Sequence, residues 1–115
     1  MSRRRDRDYL ADILEAIERA TGYAAGLTHE QFLADRRTQD AVVRNLEVIG
    51  EAAKNLSREL RARHPEVPWK VLVGVRDRMI HHCFGIDYET VWQIVQEDFP
   101  GLLSQIEGIL VTLPE

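Results

Sequence analysis

The chain carries a single cysteine, no apolar run of about 18 residues and no excess of positive charge. One cysteine excludes an internal disulfide framework. Without a bilayer-length apolar run or a leader-like opening, the chain reads as a soluble, membrane-free protein of the reducing cytoplasm. The formal net charge of −4 and a pI near 5.6 exclude non-specific coating of nucleic acid, although a local basic patch such as Arg3, Arg4, Arg5 and Arg7 remains available. That arginine run also reads as a solvated, frayed terminus. Prolines are few, four in 115 residues, and 44% of residues are hydrophobic, which excludes a disordered chain. No stretch alternates polar and apolar residues between turn signals, so no strand is predicted.

What is present is helical periodicity over a single domain, residues 1–115, long enough to remove roughly two-thirds of its unfolded surface from water. Leu10, Ile13, Leu14, Ile17 and Ala20 predict a first helix that stops at Gly22 or Gly26. Thr28 with Gln31 fits a capping box for a short helix anchored by Phe32 and Leu33. Val42, Leu46, Ile49, Ala53, Leu56 and Leu60 step by four and three, predicting one long helix over 35–63. Gly50, Ala52 and Ala53 on that helix predict the close approach of another. Pro68 suits the first turn of a helix over 69–82, with Gly85 as its C-terminal cap. Asp87 caps a helix over 88–97, in which Val91, Trp92 and Val95 face inward. Asp98 and Pro100 restart a last helix striped by Leu102, Leu103, Ile106, Ile109, Leu110 and Leu113. The expected fold is all-α, an antiparallel helical bundle of five to six helices including short ones.

Residues 75–88, VRDRMIHHCFGIDY, depart from this regularity. They follow Trp69, Val71, Leu72 and Val73, a segment apolar on every side and therefore expected to be buried, and then turn polar at Arg76, Asp77 and Arg78. Burying charge is costly unless it is paired, so the polar group is expected in a cleft. Arg76 and His81 lie five apart, roughly 140° around a helix with about 7.5 Å of rise, and converge only if the helix ends near His81 or a second protomer completes the site. Asp77 with His81, and Arg78 with His82, are four apart and stack on a continuing helix, where the carboxylate would fix an imidazole tautomer.

A forked guanidinium that grips phosphate beside a histidine that moves protons near pH 7 is the equipment for RNA cleavage by its own 2′-hydroxyl. On the residues alone, a structural ion pair beside a satisfied cleft histidine is the preferred account of the cluster. His81, His82 and Cys83 make a poor metal set, because three consecutive helical residues splay over about 200° and no spaced second pair occurs. Cys83 reads as a small buried hydrophobe rather than a nucleophile activated by its neighbour His82. His29 and His64 read as surface or loop residues.

The chain resembles HEPN-domain proteins of the HepT-like toxin family over nearly its whole length. The resemblance is carried by Arg76, Asp77 and His81, by VIGEAAKNLS over 48–57 and by FGIDYETVW over 84–92. It implies a homodimer whose two motifs line one cleft and a metal-independent endoribonuclease, the toxin of a toxin–antitoxin pair, needing no cofactor. It assigns phosphate binding to Arg76, proton transfer to His81 and an orienting role to Asp77. Arg78 and His82, beside them in sequence, are the candidate RNA-binding groups. The implied partner is a nucleotidyltransferase antitoxin of the MntA type, which transfers AMP to a tyrosine two residues after the histidine. Here that position is Cys83, whose thiol presents no phenolic oxygen, and Tyr88 is the other candidate acceptor. The competing reading is a non-catalytic HEPN module that binds a nucleotidyltransferase or a nucleotide.

Overall fold

The strongest periodicities become the two longest helices, α1 (Asp6–Ala24) and α3 (Arg36–Lys54), which pack together as the most extensive helix pair of the fold. The structure is a computed structural model and describes residues 4–80 and 85–114. Leu10, Ile13, Ile17 and Ala20 of α1 meet Val42, Leu46, Ile49 and Ala53 of α3 in a continuous buried core. Full burial of each large aliphatic side chain contributes about 1.5–3 kcal/mol. The short α2 (His29–Leu33) opens with the predicted box: Thr28 Oγ1 accepts the Gln31 N–H at 3.1 Å, and Gln31 Oε1 accepts the Thr28 N–H at 2.9 Å. Asp35 then caps α3, and hydrogen bonds from the Thr38 hydroxyl and N–H hold its carboxyl below the usual carboxylate range.

The long helix expected over 35–63 is broken. α3 closes at Asn55, and α4 (Arg58–Arg63) begins after Ser57, whose backbone is extended at φ −66°, ψ 152°. The apolar spacing is obeyed across the break, since Leu56 and Leu60 are both buried. The break has its own hydrogen bonds. Ser57 Oγ accepts the Leu60 N–H at 3.1 Å, while the Asp6 carboxylate at the start of α1 accepts the Ser57 N–H at 2.8 Å and hydroxyl at 2.6 Å. Local side-chain acceptors of this kind offer the backbone an alternative to helix.

The helix expected over 69–82 is likewise two short ones, α5 (Trp69–Val73) and α6 (Val75–Met79), hinged at Gly74. It stops at Met79, because Ile80 is extended (φ −84°, ψ 130°) and pairs antiparallel with Ile86. Gly85 has φ +90°, a conformation that suits glycine, but the helix has already ended at Met79, so Gly85 does not cap it. Only Trp69, Leu72 and Val75 of the apolar segment are buried. Val71 and Val73 are exposed, contrary to the expectation of burial on every side.

Asp87 caps α7 (Tyr88–Gln93) as predicted, accepting from the Glu89 and Thr90 N–H groups. The chain does not restart at Asp98. One turn of π-helix, Ile94–Asp98, leads without interruption into α8 (Phe99–Leu110). Pro100 supplies no N–H, and the wider turn before it relieves the clash that its ring would make in a regular α-helix. Val91, Val95, Leu102, Ile106 and Ile109 are buried as expected, whereas Trp92, Leu103, Leu110 and Leu113 are half-buried. The breaks at Ser57 and Gly74 raise the number of α-helical segments above the five or six anticipated, to eight among the described residues. The class is all-α, as expected. No helix among the described residues is long and apolar enough to cross a membrane.

Gly50 is a point of close approach between α3 and the α5–α6 pair. A Cβ there would lie 3.1 Å from Val75 Cγ1 and 3.2 Å from the Leu72 carbonyl oxygen. Gly50→Val should therefore destabilise the fold by about 1–3 kcal/mol, the usual cost of forcing atoms into a packed contact. Ser57→Ala should cost about 1–2 kcal/mol through the lost cap and the loss of the hydroxyl donor to Asp6. Urea midpoints compared with the parent at unchanged m-value check both.

Candidate functional site

α6 is anchored by its ends. Val75 and Met79, four apart on one face, are both buried, which turns the three charged residues between them outward. The three do not share a face. Arg76 and Asp77 line a cleft of about 450 Å³ whose opposite wall is α3, with Arg44, Glu47, Gly50, Glu51 and Lys54. Arg78 turns to the other side, where its guanidinium meets the Asp98 carboxylate at 2.9 Å over a smaller hollow of about 230 Å³ lined by Val71, Leu72 and Leu102. The expected grouping of Arg78 with Arg76 is thus divided by the helix itself.

The α3 wall was not legible as part of a site. Arg44, Glu47, Glu51 and Lys54 step by three, four and three along the outer side of α3, a pattern that reads as a solvated face. Gly50 within the same stretch was the available signal, because a residue that lets α5–α6 approach also brings Arg76 beside these charges. The cleft holds three cations, Arg44, Lys54 and Arg76, and three anions, Glu47, Glu51 and Asp77. Among the described residues none of the six makes a salt bridge or a side-chain hydrogen bond, whereas exposed pairs such as Arg4–Asp12 and Arg19–Glu15 form elsewhere. A structural ion pair between Arg76 and Asp77 is therefore absent from the described residues.

His81, His82 and Cys83 lie outside the described residues, and so does any contact they make. What the structure gives is the chain on either side of them. α6 ends at Met79, so the stacking of Asp77 on His81 and of Arg78 on His82 along one continuing helix does not apply. The same ending meets the condition under which Arg76 and His81 could serve one substrate. The two flanks are tied together: Ile80 bridges Ile86, and the Asp87 N–H donates to the Met79 carbonyl at 2.6 Å. Tyr88 opens α7 and packs half-buried against the core. His29, expected as a surface residue, is exposed but engaged, with Nε2 2.7 Å from Glu89 Oε2 and its ring against Trp92. Among the described residues, no group of three or more His, Cys, Asp or Glu is placed to hold a metal ion.

Comparison with known proteins adds a family. The model of the family described as ribonuclease HepT-like matches residues 13–109. The chain is 44% identical over 107 residues to a protein of Thermococcus cleftensis named as a probable ribonuclease HepT, covering 93% of this chain and 97% of the relative. It is 45% identical over 104 residues to a protein of Methanocaldococcus jannaschii named as a candidate RNase, covering 90% of this chain and 86% of the relative. It is 41% identical over 104 residues to another so named in Caldanaerobacter subterraneus, covering 90% and 93%. No solved structure matches.

Arg76 is exposed and has no side-chain partner among the described residues, and Arg78 makes one exposed ion pair. Arg76→Ala should leave stability within about 0.5 kcal/mol of the parent, and Arg78→Ala should cost less than about 1 kcal/mol. A large fall in the urea midpoint of Arg76→Ala would instead make the residue structural.

Proposed function

The chain belongs to the HepT-like ribonuclease family, and from that premise we propose that it is an endoribonuclease which cleaves RNA without a metal. The observation that carries the reading is Arg76: an exposed guanidinium on a cleft wall, free of side-chain partners among the described residues, three residues before its helix ends. A guanidinium held ready by an anchored helix binds a phosphodiester in a fork. His81, five residues on, would take the 2′-hydroxyl proton as the oxygen closes on phosphorus, and the 5′ oxygen would leave with a proton from an imidazolium. Asp77, on the same wall as Arg76, would orient this pair. Arg78 and His82 are the further RNA contacts in this proposal. Because Arg78 lies on the opposite side of α6, it would touch a different part of the strand.

The finer parts of the proposal are a homodimer whose two Arg76–His81 motifs share a cleft, a toxin role in the cytoplasm, and silencing by a nucleotidyltransferase antitoxin of the MntA type. The unpaired charges of the cleft support a partner surface there, since six charges without mutual ion pairs are available to another molecule. Cys83 in the position of the modified tyrosine directs attention to Tyr88 as acceptor, and its half-buried ring would have to turn out to react. The balanced sign of the cleft also favours a second reading, a non-catalytic module that binds its nucleotidyltransferase or a nucleotide.

Purified protein should cleave RNA in excess chelator. His81→Ala should lose about 10²–10⁴-fold in rate, the usual worth of a general acid or base, and Arg76→Ala should be comparably impaired while remaining folded. Cleavage by His81→Ala at the parental rate would remove the mechanism. A parent that binds the nucleotidyltransferase tightly and never cuts RNA would establish the second reading.

A further inference from the structure

Three hollows furrow the face made by α1, α3 and α6, and Arg44 lines all of them. One is the cleft that holds Arg76. The next, about 330 Å³, lies between α1 and α3 and is walled by Asp12, Glu15, Arg19, Tyr23, Arg44 and Asn45. Its acidic groups are already matched. Arg4 pairs with Asp12 at 2.8 Å, and Arg19 pairs with Glu15 at 3.1 Å. Arg44 has no carboxylate within salt-bridge distance among the described residues, so its guanidinium is the group of this hollow left open to an anionic ligand.

Beside that charge stands Tyr23, 46% exposed in the last turn of α1. The contrast with Tyr9 is informative. Tyr9 is half-buried and its ring is covered by the Arg4 guanidinium, 4.9 Å from the centroid. The Tyr23 ring makes no such aromatic or cation contact among the described residues. An open aromatic face sharing a hollow with a guanidinium that has no ion pair among the described residues suits a nucleotide, whose base stacks while its phosphate pairs. A simple carboxylate would use Arg44 and leave the ring idle.

We propose that Tyr23 and Arg44 form an accessory nucleotide subsite that holds single-stranded RNA running between this hollow and the Arg76 cleft. Arg44, common to both walls, pairs with a phosphate at the crossing, and Tyr23 stacks a base beyond it. The identity of the strand rests on the ribonuclease reading. The subsite itself rests on the shared wall and the open ring.

The test is binding of a 2′-O-methylated, hence uncleavable, RNA oligonucleotide of about ten residues to the full chain, read by fluorescence anisotropy over a range of salt. Tyr23→Ala should weaken binding about ten-fold or more, while Tyr23→Phe, which keeps the ring, should bind as the parent does. Arg44→Gln should weaken binding and reduce the salt slope by about one phosphate contact. Arg63→Gln, outside all three hollows, should change neither beyond the loss of a remote charge. Parental affinity and slope in both Tyr23→Ala and Arg44→Gln, with Arg76→Ala impaired, would overturn the subsite and leave the ribonuclease reading standing. A parent that neither binds nor cuts RNA would overturn both. AMP protected by Tyr23 while RNA binding ignores it would overturn the strand path in favour of a free-nucleotide site.

Discussion

The contact on which the candidate site depends is the one at Gly50. Without a side chain there, the Leu72 carbonyl and the Val75 methyl close onto α3 at distances that a Cβ would contest. Val75 is then the fixed end of α6, and Met79, fully buried, is the other. Between two pinned residues a single turn of helix has no freedom to rotate, so the direction of Arg76 is set by the packing of Val75 and Met79 rather than by a side-chain contact of its own among the described residues. Such support by apolar contacts is how an exposed charged group is held in one geometry. The charges of α3 enter the site by the same contact, since Gly50 lies among them.

Ile80 and Ile86 do similar work on the other side of the motif. The antiparallel bridge and the Met79–Asp87 hydrogen bond bring the two flanks of residues 81–84 together and join the end of α6 to the start of α7. Asp87 both donates its N–H to this closure and caps α7 with its carboxylate, so one residue couples the turn to the helix that follows. His29 and Glu89 then tie α7 to α2.

Periodicity revealed which side chains are inward, because burial follows apolar spacing whether or not the backbone stays helical. Leu56 and Leu60 illustrate this: they continue the stripe of α3 across a break that spacing cannot report. What broke the helix was Ser57 meeting Asp6, a pairing 51 residues apart in sequence. Pro100 misled in the opposite direction, since a π turn accommodates it without a stop. Capping was legible wherever donor and acceptor are local, as at Thr28 and Asp87. In the site, Arg76 and Asp77 were found by residue type, whereas Arg44 and Tyr23 require the packing of α1 on α3. The separation of Arg78 from Arg76 follows only once Val75 and Met79 are known to point inward.

Charge balance constrains how the cleft can act. With three carboxylates among three cations it has no net attraction for a polyanion, and the chain as a whole is acidic. On the proposed reading, long-range steering of RNA is therefore weak, and recognition has to come from short-range contacts in which guanidinium and phosphate meet directly. Those contacts must be few and well placed. A guanidinium that reaches two hollows without an ion pair of its own among the described residues, as Arg44 does, then counts for more than it would on a basic protein. The same carboxylates repel a strand that enters out of register, so Glu47 and Glu51 would select position by exclusion. A partner protein faces no such penalty, because its own surface can offer both signs to the six unpaired groups. Competition between RNA and a protein partner for one cleft would thus need no conformational change, only a surface that satisfies the carboxylates as well as the cations.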